Sequence, residues 1–425
     1  MFSDLQQWAV LYVPICVALI LPLVWKIYPR LWVATILHTF WQFASLPWLN
    51  YLAVQLGFWE FSPTSIHILG LPLHYYFAWV VWWGIVATIT LGKLPFVFSR
   101  WWILAAAFLI DLATMPLLQP QLTLGQHWIL GEILLIFGCL LPGLWLAHWT
   151  LSWSKVCWRA FLVSITFGIL VFTIFPFMAG HEFKQITATL TKWQLWQHYL
   201  FLGAMCLASV LAVAGVVMFA KLGHGTPIPF DPPRKLVISG VYSYICNPIQ
   251  WSIIVCLTLW GVYLQLPLYW GIAFISLCYC VGIAKWSESK DLEDRFTQQW
   301  LDYKNANPNW KFNLLPNLDQ HAKLYVALDC GSCAPIATWL QSKNCTKLNI
   351  IDANSWEGPP LQRITYVYPC GTAAQGVEAI AAALQHLHLG WAYLGWLISY
   401  PGIQQLIQWS MDSAGSSTRD KSAKT

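Results

Sequence analysis

The stretch LGHGTPIPFDPPRKLVISGVYSYICNPIQW, Leu222–Trp251, is where the chain changes character. Its prolines and glycines forbid one continuous helix. Before it, apolar runs alternate with short polar connections. After it come two more apolar runs and then a polar stretch, ESKDLEDRFTQQWLDYKNANPNW, Glu288–Trp310. A spanning helix needs about 20 apolar residues. Working outward from Leu222, candidate spans fall at 8–28, 31–56, 73–92, 101–118, 127–149, 160–179, 195–220, 249–266 and 268–286. The hydrophobic fraction is 58% and the charged fraction 10%, against about 25% charged in soluble domains. The class is therefore an α-helical polytopic membrane bundle of about nine spans. The 29 tryptophans suit rings at the membrane interfaces.

Net charge is only +5, so no nucleic-acid partner is expected. The basic residues instead report topology. Lys26 and Arg30, Lys93 and Arg100, Lys155 and Arg159, and Lys221, Arg234 and Lys235 fall in alternate loops. The intervening loops 57–72 and 119–126 carry none, and 180–194 carries Lys184 and Lys192. The positive-inside rule then sets the N-terminus outside and everything after Lys285 in the cytoplasm. The first apolar run lacks a basic leader and reads as a retained helix.

A methyl donor such as S-adenosylmethionine carries a sulfonium, an ammonium, a carboxylate and a purine ring. Holding it takes a carboxylate, backbone N–H groups and aromatic faces. Gly223 and Gly225 would let the backbone approach a ligand closely. Tyr242, Tyr244, Trp300 and Tyr303 offer aromatic faces, Asn247-Pro248 opens the next helix, and Glu288 is the carboxylate. Together, residues 221–316 resemble the core of the integral membrane methyltransferases, the isoprenylcysteine carboxyl methyltransferase and phospholipid methyltransferase families. The resemblance implies S-adenosylmethionine as cofactor, bound by these residues, and a lipophilic acceptor entering from the bilayer. Four departures bear on it. The family's arginine before Asn-Pro is Cys246, its second glutamate is Ser289, and its glycine is Thr297. Its later glutamate is Gln299.

Residues 321–412 read as a separate small domain. A strand at Leu324–Leu328 is followed by Asp329-Cys330-Gly331-Ser332-Cys333, a helix to about Gln341, strands at Leu348–Asp352 and Arg363–Tyr368, and a helix over Gly376–Leu387. Cys330 at a helix start has the dipole and free N–H groups that lower a thiol pKa, and Cys333, one turn along, can resolve a mixed disulfide. The segment resembles the thiol-disulfide oxidoreductases named for an Asp-Cys-Cys pattern, which implies a thioredoxin-like fold, catalysis by Cys330 and Cys333, and a thiol redox partner. One Cys-x-x-Cys cannot supply four zinc ligands, so no metal is expected. Leu389–Trp409 reads as helices resting on the small domain and on the bilayer. Residues 413–425 read as a disordered tail.

Residues 1–220 carry no motif. His38 and Gln42 share a helix face, Asp111 sits well inside a span, and Glu132 lies a turn into another. Ionisable groups at such depth are either functional or satisfied by interhelical hydrogen bonds, and the sequence leaves both open. The leading expectation is donor-dependent methyl transfer coupled to a cytoplasmic dithiol domain. The alternatives are a membrane-anchored thiol-disulfide oxidoreductase on a non-catalytic scaffold, and a lipid or small-molecule transporter.

Overall fold

The computed structural model describes residues 2–63, 66–94, 99–179, 183–307, 310–328, 333–359 and 361–413. The chain is mostly helical and divides into two compact units. The first comprises Met1–Lys192 with Ile228–Pro232, the second Trp193–Pro227 with Pro233–Thr425. The helix Leu195–Lys221, grouped by sequence with the N-terminal helices, thus packs with the second unit.

Among the described residues five helices are long and apolar enough to cross a membrane: Ser99–Leu118, Trp128–Leu151, Val156–Met178, Leu195–Lys221 and Pro267–Ala284. Their outward faces carry exposed Trp102, Leu109, Phe161, Leu200, Phe274 and Ile283, side chains that only a lipid surround makes inexpensive.

In the first unit the helix Pro29–Gln55 is central, packed on Val80–Val86, Leu141–Leu151 and Val156–Ile169. At one end of this unit, strand β1 (Trp59–Phe61) pairs antiparallel with β4 (Leu122–Leu124). Strands β2 (His67–Ile68) and β3 (Leu71–Pro72) form a hairpin through Leu69 and Gly70, both at positive φ, as its two-residue turn requires. The basic loops meet one another as well. Lys93 Nζ donates to the Lys26 carbonyl (2.8 Å), and Arg30 Nε to the Thr150 carbonyl (2.7 Å). Asp231 binds Arg30 at 2.6 Å and also Arg159. Loops that the charge pattern assigns to one side therefore do lie together.

In the second unit Leu195–Lys221 packs along Pro248–Leu264, which turns at Leu266 into Pro267–Ala284. The chain continues as Lys285–Ala306, broken by non-helical geometry at Thr297. The polar helix expected to run to Pro316 thus ends at Ala306. From there Asn313 N–H donates to the Tyr244 carbonyl and Asn317 N–H to the Ser243 carbonyl, both at 2.9 Å. That backbone pairing replaces helix.

The small domain has four strands: β5 (Ala322–Val326), β6 (Leu348–Asp352), β7 (Thr365–Val367) and β8 (Ala373–Gln375). They lie in the order β6-β5-β7-β8, with β5 parallel to β6 and antiparallel to β7, and β7 antiparallel to β8. The helix Ala334–Ser342 makes the crossover from β5 to β6, and Val377–Leu384 follows β8. Leu389–Ile398 packs on Val377–Leu384 and on Leu195–Lys221, and Ile403–Ser413 packs beside it. The segment expected to rest on the bilayer is thus held in part by the protein's own long helix. Tyr393 donates to the Leu207 carbonyl, and the Tyr400 and Ser209 hydroxyls meet at 3.3 Å. The tail from residue 414 lies outside the described residues.

Candidate functional site

The methyl-donor constellation assembles in the second unit, but largely as packing. Tyr242, Tyr244, Trp300 and Tyr303 belong to one buried core. The Tyr242 ring stacks on Phe219 with centroids 4.8 Å apart, and its hydroxyl reaches the Gly215 carbonyl at 3.5 Å, the outer limit of a hydrogen bond. Tyr303 donates to the Tyr242 carbonyl at 2.8 Å and its ring lies 5.8 Å from Trp300. Tyr244 serves another purpose than the expected one. Its hydroxyl donates to the carbonyls of Gln385 (3.1 Å) and Leu387 (3.4 Å), and Trp396 packs edge-on against its ring. It ties the small domain to the membrane-proximal loop.

Gly223 and Gly225 are buried rather than open to a ligand. A Cβ on Gly223 would meet Pro233 Cβ at 2.7 Å and the Phe219 carbonyl at 2.8 Å, and the Gly223 carbonyl accepts from Arg234 N–H at 2.7 Å. The glycine is needed for a tight turn. Asn247 caps the helix Pro248–Leu264 through its backbone, with Pro248 at the first turn, where a missing N–H costs nothing. Cys246, in place of the family's arginine, donates its thiol to the Asn307 carbonyl at 2.7 Å, and burial pushes its pKa up to about 11.

Glu288 is the one member still poised for polar chemistry. It is part-buried and accepts from Gln250 Nε2 at 3.0 Å. Burial raises its pKa, and the Gln250 hydrogen bond works against that rise. Burial, and then the charge of Glu288, push the Tyr242 phenol well above its usual value. A carboxylate, an amide and a phenol thus share one locality at the end of the helix Pro267–Ala284.

The second candidate is the dithiol. Cys330 lies outside the described residues. Cys333, expected one turn inside the helix, is instead its N-cap: Ile336 and Ala337 N–H bond its carbonyl at 3.1 and 3.2 Å, and Pro335 sits in the first turn. The side chain is half-buried against the domain core. The helix begins later than the pattern implied because Pro335 is pre-set for a first turn and not for an interior one. Beneath the sheet, His386 Nδ1 donates to the Thr346 carbonyl and Nε2 accepts from the Tyr366 hydroxyl, each at 2.7 Å. Burial lowers the His386 pKa to about 4, so the ring is neutral.

In the first unit the two ambiguous polar sets separate. His38 is bonded on both ring nitrogens. The Thr88 hydroxyl gives its proton to the Gly84 carbonyl (2.6 Å), so His38 Nδ1 donates to Thr88 (2.7 Å) and Nε2 accepts from Gln42 (2.8 Å). That is interhelical glue. Asp111 and Glu132 lie within hydrogen-bonding reach of each other, with Trp79 and Trp83 next to Asp111, and Asp111 Oδ2 lacks a well-formed hydrogen bond. Asp111 and Tyr75 line a cavity of about 290 Å³. Nothing in the sequence marked Tyr75, because it stands in the run His74-Tyr75-Tyr76-Phe77, where no spacing singles it out. Among the described residues no cluster of three or more His, Cys, Asp or Glu could hold a metal ion.

No protein-family model, curated protein or solved structure matches this chain.

Proposed function

We propose that the protein is a membrane-anchored thiol-disulfide oxidoreductase, its methyltransferase-like segment acting as scaffold. The observation that carries this reading is the sheet order β6-β5-β7-β8 with Cys333 capping the helix that leaves β5. That order, one parallel and two antiparallel pairings with Cys333 at the first crossover, is what a thioredoxin-like domain requires. The scaffold part is supported by how Tyr242, Tyr244 and Tyr303 are used: each phenol is directed at a backbone carbonyl.

In this reading the Cys330 thiolate attacks a partner disulfide, forming a mixed disulfide and releasing one partner thiolate. Cys333 then attacks the Cys330 sulfur and releases the second. The dithiol gives up two electrons and the partner disulfide takes them. The half-buried position of Cys333 suits the resolving role. The five long apolar helices among the described residues, with Phe2–Val24, Pro29–Gln55, the helical run 73–91 and Pro248–Leu264 beside them, support the nine-span count. The convergence of the basic loops supports an outside N-terminus and a cytoplasmic small domain, where thiols are kept reduced.

Methyl transfer from S-adenosylmethionine to a lipophilic acceptor is the second reading, favoured by one observation, the Glu288–Gln250–Tyr242 locality. One pair of measurements on the full-length protein in detergent decides between the two. Peptide-resolved alkylation against pH should give Cys330 a midpoint below the ordinary thiol value of about 8.5, with reversible oxidation of the Cys330–Cys333 pair by glutathione disulfide. Faster modification of Cys333, or no interconversion, refutes the redox reading. Calorimetric titration with millimolar S-adenosylmethionine should show no binding. Binding that Glu288→Gln weakens at least tenfold would instead establish the donor site.

A further inference from the structure

The cavity in the first unit belongs to neither reading. It opens where the helix Phe2–Val24 runs beside Leu73–Trp79 and Ser99–Leu118. Its walls are almost wholly apolar: Val13, Pro14, Ala78, Trp82 and Leu117. Three polar side chains interrupt them: Asp111, 4% exposed, Tyr75, 1% exposed, and Thr114, whose hydroxyl is already bonded to the Ile110 carbonyl. Asp111 Oδ2 and the Tyr75 hydroxyl have no partner; fully buried Glu132 lies against Asp111 and away from the cavity wall. Two features make this a site rather than a packing fault. Buried polar groups are almost always bonded, and both ring nitrogens of buried His38 are. Asp111 Oδ2 and the Tyr75 hydroxyl also border the empty space.

The chemistry selects the occupant. Ionised carboxylates only accept hydrogen bonds, so the ligand must donate. Two adjacent carboxyls in an apolar surround cannot both ionise without a cation to offset them. An ammonium supplies both donors and charge, whereas an alcohol supplies only one donor. A bare metal ion would need more ligands than these two acids and apolar walls provide. The volume of about 290 Å³ is near the lower end for ligand pockets, room for one hydrocarbon chain and a small head. We propose that this cavity binds a single-chain lipophilic amine, its ammonium on Asp111, which Glu132 backs, and within reach of the Tyr75 hydroxyl, its chain along Ala78, Trp82 and Leu117.

The test uses the full-length protein in lipid nanodiscs and, as probe, n-decylamine carrying a diazirine in its chain. Irradiation should place adducts on the peptides spanning 73–91 and 99–118. Excess n-decylamine should suppress that labelling at least tenfold, while decanoate and decane should not. Asp111→Asn should lower it at least tenfold, and so should Ala78→Phe, which fills the space and leaves both acids in place. Equal suppression by decane or decanoate, or adducts scattered over lipid-facing helices, overturns the proposal. So does labelling unchanged in both variants. The wild-type competition alone decides if either variant fails to fold.

Discussion

Tyr303 in the second unit and Tyr75 in the first are both buried phenols, and their hydroxyls end in opposite situations. Tyr303 donates to the Tyr242 carbonyl at 2.8 Å, while Tyr75 has no partner and borders a cavity. The same contrast holds for acids. Asp231 is saturated by Arg30 and Arg159, whereas Asp111 keeps an unbonded oxygen. A buried polar group that is fully bonded works as a clamp, and its value lies in stability. One that is unbonded beside empty space is worth keeping only if something else completes it. By this measure the residues with the family resemblance read mostly as clamps, and the residues without a motif read as a binding site.

The acids give the widest separation. Removing Asp231 leaves Arg159, 1% exposed, as an uncompensated buried charge, which costs about 3–5 kcal/mol. Asp231→Asn should therefore lower the unfolding midpoint of the detergent-solubilised protein by many degrees. Asp111→Asn breaks no ion pair and leaves no buried cation behind, so it should lower the midpoint much less than Asp231→Asn does. Equal losses in the two variants would break the distinction between clamp and site.

A pH experiment probes a clamp inside the small domain. The unfolded His386 ring takes up a proton below about 6.5, while the folded one, held neutral by burial, does not until about 4. Between those values the unfolded state binds more protons. Stability is therefore fully present above about 6.5 and is lost as pH falls toward 4, by at most about 3 kcal/mol. Denaturant midpoints at pH 7, 5.5 and 4.5 should fall in wild type and stay flatter in His386→Gln, once its lower starting stability is subtracted. Parallel curves would show that other groups carry the acid sensitivity.

The sequence was legible where one physical period or one charge rule governs many residues. The long apolar runs became helices, and the alternation of Lys26–Arg30, Lys93 and Lys155–Arg159 foretold which loops meet. Strands β5 and β6 could be read from compact apolar runs. Strand β8 could not, since Ala-Ala-Gln has no alternation and forms only because β7 offers an edge. The work of Tyr244 was hidden because its acceptors lie more than 140 residues away. The cavity was hidden because three separate helices contribute a few residues each. Spacing within a motif reports which residues could meet a ligand. It says nothing of whether their polar atoms are already taken.

Thr297 and Gly376 carry the comparison down to a single backbone geometry. Thr297 has φ 47° and ψ −120°, and Gly376 has φ 61° and ψ −129°. Both lie in a region that only glycine enters freely. At 376 the sequence supplies the glycine. At 297, where the resembled family has one, it supplies a β-branched residue whose strain is about 1–3 kcal/mol. The surroundings hold it there: Arg295 donates to the Pro233 carbonyl two residues before, and Tyr303 bonds the Tyr242 carbonyl six residues after. Bending the helix at Thr297 lets both contacts form at once. Thr297→Gly should relieve the strain but loosen the unfolded chain by about 0.5–1 kcal/mol, for a net gain of about 1 kcal/mol. Gly376→Ala should move the other way, since a Cβ there would overlap the Gln408 amide oxygen. Midpoints of the full-length protein that shift upward for the first and downward for the second would confirm that one geometry is held by strain and the other by choice of residue. A loss of stability in Thr297→Gly would mean that the threonine side chain itself bonds the bend.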